Sequence, residues 1–391
     1  MPTLDEVIRL IPGYDPYRDA DGYFFDEAAA QIVIDFIEQC IVHVKCEKGH
    51  QPFLLELWEK AIIANLFGWK SVETGLRRYR ECLVYVPRKN GKSSLAAAII
   101  IYMLLVDEEI GAEVYCAASA GEQARIIFNI VKMMIQHTPV LRRRANPFVN
   151  GIVVIDPNTK IPTGSVFKSL NSEASSAHGL NPSCVIVDEL HAHANGELVD
   201  ALETGVGARK QPLVVHLTTA DFNRDSMCNR KYDRACKVRD GDVTDARFLP
   251  VIYEAAEDDD WRLESNWKKA NPNYGISVNE EFFRSEIQTA IDFPSEEARV
   301  RRLYLNQKTD TERIWLTTSD WSRGNIEVDP ERLLGRPCFG GLDLSNVKDL
   351  TAFILVFPGD AGIDVLCNFW IPRGNLVKRK RRDGASYADW I

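Results

Sequence analysis

The residues best suited to chemistry fall in three places. In the stretch from Cys82 to Leu95, Gly91-Lys92-Ser93 stands between a β-prone run, Cys82 to Val86, and an apolar stretch of helical character, Ser94 to Val106. Strand, tight turn and helix is the order of a phosphate-binding loop. The first N–H groups of a helix lack intrahelical acceptors and carry the positive end of its dipole, so they attract an anion. Lys92 adds a point charge for β- and γ-phosphates, and Ser93 a hydroxyl for Mg²⁺. The full spacing Gly-x-x-x-x-Gly-Lys-Ser wants glycine where Val86 stands, so the triplet alone reads equally well as a helix cap.

The second place decides between these. Cys184 to Val187 is an apolar run fit for a buried strand, and Asp188-Glu189 stands at its carboxyl end, where open α/β sheets hold their ligands. Asp188 is placed to hold Mg²⁺ through water, and Glu189 to polarise an attacking water as general base. The bland alternative is a solvated acidic pair.

The third is Asp343, inside the β-prone run Cys338 to Ser345, with Asp349 shortly after and further strands expected over Thr351 to Phe357 and Gly362 to Pro372. Three consecutive strands, the first bearing an aspartate, open an RNase H-like nuclease, where that aspartate binds catalytic Mg²⁺ or Mn²⁺. A lone carboxylate buried in a strand is costly without a cation, which favours a ligand over a core position. The basic run Lys378 to Arg382 suits phosphate contacts, or is a solvated loop.

Other elements must position these groups. Residues 1–25, rich in Pro, Gly, Asp and Tyr, read as an extended lead-in. From Asp26 to Val44, Ala29, Ile32, Ile34, Phe36, Ile37 and Ile41 recur at helical spacing. Gln51-Pro52-Phe53 leads into a second helix containing Trp58; Gln51, Phe53 and Trp58 suit the edge and face of an adenine, and the two aromatics suit a core equally. Arg77, Arg78 and Arg80 read as a polar face. Glu113 to Ala117 is a strand, Gly121 to Ile135 a helix, and Arg142 to Arg144 a basic cluster, either a solvated face or a trans-acting arginine or DNA contact. Imidazoles at i and i+2 share no helix face, so His191 and His193 are expected to be structural rather than metal ligands. Leu213 to Leu217 is a strand ending in Thr218-Thr219-Ala220, whose hydroxyls are placed to sense hydrolysis. Helices are expected over Val278 to Ile291 and Ser295 to Leu305.

The chain's 391 residues allow two or three domains, and its 45% hydrophobic and 26% charged content is that of a globular protein. A net charge of -9 argues against a nucleic-acid coat while leaving local basic patches open. The nine cysteines include no Cys-x-x-Cys pair, so reduced thiols are expected rather than zinc or disulfides. The longest apolar run, Leu95 to Val106, falls short of a membrane span and no signal peptide is recognised, so a cytoplasmic protein is expected.

Pro87-Arg88-Lys89-Asn90-Gly91-Lys92-Ser93, Val187-Asp188-Glu189-Leu190-His191, Thr218-Thr219-Ala220, Ala270-Asn271-Pro272 and Gly341-Leu342-Asp343-Leu344-Ser345 with Asp349 occur in one order. That ordered set resembles the large terminase subunit of tailed bacteriophages and prophages. The resemblance implies an ATP-hydrolysing motor that translocates double-stranded DNA into a procapsid, joined to a metal-dependent endonuclease that cuts the concatemer. It implies an α/β fold: a P-loop ATPase of ASCE type with a mainly parallel sheet over residues 1–250, a helical lid over 251–312, a linker over 313–335 and part of an RNase H-like domain over 336–391. Arg88 to Ser93 would bind ATP, with Arg88 matching a proposed arginine finger. Asp188 and Ser93 would hold Mg²⁺, Glu189 would be catalytic, Thr218 and Thr219 would couple, and Asp343 and Asp349 would bind nuclease metal. Glu59 stands where many members carry glutamine. The remaining nuclease carboxylates find no match before Ile391, so an incomplete nuclease is expected. Portal protein and small terminase subunit are the implied partners. The implied assembly is a pentameric ring from a chain monomeric alone, in the host cytoplasm and transiently at the portal, absent from the mature virion. The alternative is a helicase-type nucleic-acid remodelling ATPase without nuclease activity.

Overall fold

Cys82–Tyr85, Cys184–Val187, Leu213–Thr218 and Phe248–Ile252 are apolar on both faces, as strands covered by helices on each side must be. The computed structural model of the protein places them in one sheet. It describes residues 2–44, 49–107, 109–171, 179–193, 196–222, 226–309, 324, 328–344, 351–359 and 362–371, which fall in two units, 1–313 and 314–391.

The first unit opens with α1 (Leu4–Ile8), β1 (Tyr23–Phe25), α2 (Glu27–Cys40), α3 (Leu57–Gly68) and β2 (Trp69–Ser71). It continues through β3 (Glu81–Tyr85), α4 (Lys92–Leu105), β4 (Glu113–Ala118), α5 (Gly121–His137), α6 (Pro139–Arg142), β5 (Ala145–Pro147), β6 (Ile152–Ile155) and β7 (Pro162–Asn171). After β8 (Cys184–Val187) come α7 (Glu197–Gly205), β9 (Leu213–Thr218), α8 (Met227–Asp240), β10 (Phe248–Ile252), α9 (Glu264–Ala270), α10 (Glu280–Asp292) and α11 (Glu297–Leu305). Eight strands form one sheet in the order β10-β3-β9-β8-β4-β7-β6-β5. Pairing is parallel from β10 through β7, and antiparallel at β7/β6 and β6/β5. Tyr85 lies opposite Thr218 and Val187 opposite His216, so β3, β9 and β8 end side by side. The fold is α/β with a mainly parallel sheet, as expected.

α4 is buried nearly all round, the mark of a helix inside a layered core. The first core runs from Leu4 to Tyr253, and a second, built on Trp261, Trp267, Phe283, Ile287 and Tyr304, holds α9 to α11 together.

Several expectations are corrected. The first 25 residues are not an extended lead-in: Thr3 caps α1 in a reciprocal box with Glu6, and Leu4, Val7, Ile8, Ile11 and Tyr14 are buried. α2 is capped by Asp26, but its inner face is Ala30, Val33, Ile34 and Ile37, while Ile32 is 59% exposed. Nor do Arg77 and Arg78 lie on a polar face. Arg77 is buried against Asp107 and the Gln211 carbonyl. Arg78, 1% exposed, donates to the carbonyls of Ala246 (2.8 Å), Pro16 (2.6 Å), Arg18 and Asp19 (3.1 Å each), and packs beside the rings of Trp69 and Tyr79. One guanidinium thus fastens the N-terminal segment to the approach to β10.

In the second unit, β11 (Phe339–Asp343), β12 (Thr351–Gly359) and β13 (Gly362–Trp370) form an antiparallel sheet in sequence order. Asp343 is the last residue of β11, opposite Ala352, and is exposed. Its carboxylate is therefore at a strand end rather than inside a core, and the burial argument for a metal ligand does not apply to it. Phe339, Leu342, Phe369 and Trp370 are exposed on the same small sheet. Asp349 and Lys378 to Arg382 lie outside the described residues.

Replacing Arg78 by Ala leaves four buried or part-buried carbonyl acceptors without their donor. A loss of about 3–5 kcal/mol in unfolding free energy is expected by denaturant titration, with Arg78→Lys recovering only a fraction because one ammonium cannot span the four sites.

Candidate active site

The glycine-lysine-serine turn leaves β3 with the Val86 N–H bound to the Thr218 carbonyl (3.2 Å), so the loop is tied at once to the end of β9. Arg88 and Lys89 are exposed, and Lys89 has φ +71°. Gly91, at φ +90°, is the N-cap of α4; an added Cβ would meet Asn273 Nδ2 and Glu59 Oε1 at an ordinary 3.6 Å each, so it is the left-handed conformation that calls for glycine.

Asn90 is fully buried. Its Nδ2 donates to Pro87 O (3.2 Å), Arg88 O (3.3 Å) and Asn271 Oδ1 (2.8 Å), and its Oδ1 accepts from the Asn273 N–H (3.1 Å). Asn273 returns a bond to the Asn90 carbonyl (3.1 Å) and accepts one from Trp58 Nε1 (2.8 Å); Ser277 Oγ donates to Lys89 O (2.7 Å). The turn after α9 is thereby clamped onto the loop by side-chain amides. Behind α11, Asn306 at φ +52° accepts from the Ala220 N–H (3.0 Å) and donates to Tyr253 O (2.9 Å), joining the far end of α9–α11 to the threonines.

Lys92 is 7% exposed, and its Nζ donates to the carbonyls of Val86 and Pro87. Burial lowers its pKa to about 8, against the opposing pull of Glu189 and Asp188. Asp188 is 5% exposed, with its N–H on Ala117 O; burial, then the Glu189 charge, push its carboxyl up to about 7. Glu189 occupies the left-handed region at φ +48°, unusual for a non-glycine residue and characteristic of functional turns. Its Oε2 is buried without a hydrogen bond, with His191 Nδ1 3.2 Å away. A carboxylate oxygen with unfilled acceptor capacity, a carboxyl held near neutrality by burial and the half-buried Ser93 suit a hard divalent cation with water in its shell. Thr218 and Thr219 are fully buried at the end of β9, and Thr218 Oγ1 donates to Thr219 O (2.9 Å).

The structure thus brings Lys92, Ser93, Asp188, Glu189, Thr218 and Thr219 to one edge of the sheet. Of the two aromatics suited to adenine, Trp58 stands next to the loop through Asn273, and Phe53 is packed in the core. Phe53 is in the core, edge-on to His43 (centroids 4.8 Å apart), and the exposed Gln51 accepts the His43 N–H through its carbonyl. Trp58 is bound to Asn273 and lines a cleft with Leu10, Leu57, Tyr253 and Pro272. Arg142 to Arg144 are exposed beside β5, six strand steps from β3, or about 29 Å, beyond reach of their own loop. Asn273, Asn306 and His191 were missed as site residues. The Asn-Pro-Asn run carried a signal, since amides are the side chains able to satisfy backbone groups in a buried joint.

Glu81, Glu203 and His216 also bring ligand atoms within 4.8 Å of one another. Lys231 Nζ sits 2.9 and 2.8 Å from the same two carboxylate oxygens and Arg234 2.7 Å from Glu81, so the cations there are the chain's own. Among the described residues, no helix is long and apolar enough to cross a membrane.

The family model of the terminase large subunit ATPase domain matches residues 57–237, and that of its endonuclease domain residues 242–391. The large terminase subunit of Enterobacteria phage HK97 is 29% identical over 369 residues, covering 92% of this chain and 68% of that protein. Protein YmfN of Escherichia coli K12 is 28% identical over 223 residues, 54% of this chain and 49% of its own length. The crystal structure of the HK97 bacteriophage large terminase superposes with a TM-score of 0.62 at 28% identity, covering 92% of this chain and 72% of that one.

A carboxyl whose pKa is raised on folding stabilises below its unfolded pKa and loses that contribution as pH rises through the folded value, here between about 4 and 7. Lys92, lowered on folding, makes the nucleotide-free chain regain stability between about pH 8 and 10.5. Asp188→Asn is expected to stabilise the nucleotide-free protein, with a gain about 1–2 kcal/mol larger near pH 7.5 than near pH 5.5 in urea titrations. An equal gain at both would mean that Asp188 is not held near neutrality.

Proposed function

The chain belongs to the terminase large subunits, and from that premise we propose that its first unit is the motor moving double-stranded viral DNA into a procapsid, while Asp343 serves the nuclease that cuts the concatemer. As a large terminase it has an ATPase and an endonuclease domain, which imply the use of nucleotide and divalent metal. The observation that carries the proposal is the convergence of Lys92, Asp188-Glu189 and Thr218-Thr219 at the carboxyl ends of β3, β8 and β9, with β9 lying between the other two.

ATP is the substrate. The N–H groups at the start of α4 and the Lys92 ammonium, released from the Val86 and Pro87 carbonyls, hold the β- and γ-phosphates. Ser93 and Asp188 would hold Mg²⁺, which would supply positive charge to neutralise phosphate oxygens. Glu189 takes a proton from the water as it attacks the γ-phosphorus and ADP departs. Arg88, exposed on the same loop, supplies positive charge to the γ-phosphate in cis, and Lys89 the backbone of the turn. Asn90 acts on nucleotide indirectly, by holding the loop against Asn271 and Asn273. Thr218 and Thr219 pass the change to α8 and α9–α11. In the second unit Asp343 would hold Mg²⁺ or Mn²⁺ for phosphodiester cleavage, with Asp349 as a further ligand expected from the family resemblance. The partners of this reading are portal protein and small terminase subunit, with the chain monomeric alone and pentameric on the portal, in the host cytoplasm.

Phosphate release with Mg²⁺ and linear duplex DNA tests the motor. Lys92→Ala is expected to weaken ATP binding roughly 30-fold, the value of one charge-assisted contact. Glu189→Gln is expected to keep binding and lose turnover by roughly 10²–10⁴-fold; full turnover in that variant removes Glu189 as the base. Metal-dependent plasmid cutting by a longer form of the protein is expected to be abolished by Asp343→Ala, and duplex unwinding with no cutting by that form favours a helicase-type remodeller.

A further inference from the structure

The residues from Gln123 to Ile155 contain five cations and no Asp or Glu, in a chain where Asp and Glu number 56 and the net charge is -9. The five are Arg125 and Lys132 on α5 and Arg142, Arg143 and Arg144 just past it. None makes an ion pair or a side-chain hydrogen bond among the described residues. Elsewhere such cations are paired, as Lys60 with Glu38, Arg209 with Glu109, Arg284 with Glu280 and Arg299 with Glu286. A row of like charges repels itself, and a counter-charge brought by another molecule relieves that.

The fold sets these groups in one line. α5 turns Ile127, Phe128, Val131, Met134 and Ile135 into the core, which leaves Arg125, Asn129, Lys132 and Gln136, at i, i+4, i+7 and i+11, on its outer stripe. Past its end, buried Leu141 and Ala145 fix the backbone on either side of the three exposed arginines, and Arg144 O accepts the Ile155 N–H (2.8 Å). The line ends at β5, the edge strand of the sheet. From Arg125 to His137 the helix rises about 18 Å, the axial span of about five phosphates on one strand of a DNA duplex. The stripe carries no aromatic ring on which unpaired bases could stack, and the Asn129 and Gln136 amides add donors suited to phosphate oxygens.

We propose that the outer face of α5, with Arg142 to Arg144, is a contact surface for duplex DNA that holds the phosphate backbone and reads no base sequence. Each of the five cations neutralises a phosphate and releases its condensed counterion, which makes the contact strongly salt-dependent. Cations spaced along a helix with amides between them fit an extended polyanion better than the compact acidic patch of a folded protein. The surface is separate from the nucleotide centre at the carboxyl ends of β3, β8 and β9, so DNA and nucleotide are held by different residues. The choice of duplex DNA rests on the packaging reading given above.

The test is the affinity of a linear duplex of mixed sequence for the full chain, read by fluorescence anisotropy over a salt series, with a second duplex of unrelated sequence beside it. Arg142→Ala, Arg143→Ala and Arg144→Ala combined are expected to lower the slope of log K against log salt by about 2.7, and Arg125→Ala with Lys132→Ala by about 1.8, equally on both duplexes. Arg142→Lys, Arg143→Lys and Arg144→Lys combined are expected to keep the slope, because each ammonium still neutralises one phosphate. An unchanged slope in both Ala variants, a change that differs between the duplexes, or a loss of affinity that comes with a lowered melting temperature and is not restored by the Lys variant would overturn the surface. Altered sedimentation of the Ala variants with DNA binding intact would overturn it as well, since the arginines would then face a second copy of the chain. The packaging reading fails separately: DNA held at full slope by the unmodified chain, with no effect on Mg-ATP hydrolysis, would remove the motor and leave this surface standing.

Discussion

Two adjacent carboxylates and a lysine are held in a nearly dry space at the ends of buried strands, and the rest of the first unit is arranged around that constraint. Asp188 and Glu189 repel each other where solvent screens little, and Lys92 is turned onto the backbone carbonyls of its own loop. Asp188 and Lys92 are therefore displaced toward neutrality, at a cost to stability that a non-functional core would not carry. The left-handed turn at Glu189 belongs to the same arrangement, and leaves its Oε2 3.2 Å from His191 Nδ1.

The helical segment after β10 is joined to this centre at two places. Asn271 and Asn273 grip the phosphate loop through Asn90, and Asn306 grips the backbone just past Thr219. A change in loop shape and a change at the end of β9 are thus felt by one rigid group of helices, packed on Trp261, Trp267 and Phe283. Buried amides suit such joints because each satisfies a donor and an acceptor without adding charge to a crowded site. Arg142 to Arg144, at the opposite edge of the sheet, are remote from their own centre, so any arginine they offer serves another molecule.

The parts that repeat along the chain were legible in sequence. Continuous apolar runs gave β3, β8 and β9, and the apolar stretch after Ser93 gave α4, because burial on both faces leaves a plain compositional trace. The ends of those strands carried Lys92, Asp188 and Thr218. What failed was long-range. Arg77, Arg78 and Arg80 look like a solvated cluster, and only the carbonyls of residues 16–19 and 246 make burial of Arg78 tolerable. Residues 1–25 lack a long period, yet five of their apolar side chains complete the core. Phe53 and Trp58 were ambiguous between stacking and packing, since composition does not say which way a ring faces. Asp343 was read as a buried carboxylate from its apolar neighbours, but a three-stranded antiparallel sheet can leave a strand end in solvent.

The most direct test of the account is calorimetry of a slowly hydrolysed Mg-ATP analogue binding to the unmodified chain, in paired buffers of different ionisation enthalpy. Asp188, raised to about 7, must give up its proton to hold a cation, and Lys92, lowered to about 8, must take one to face phosphate. The account requires net proton release at about pH 6, net uptake at about pH 8.5 and near cancellation between them. Binding without proton exchange at either extreme, or no binding at all, would contradict the claim that these two groups form the nucleotide centre.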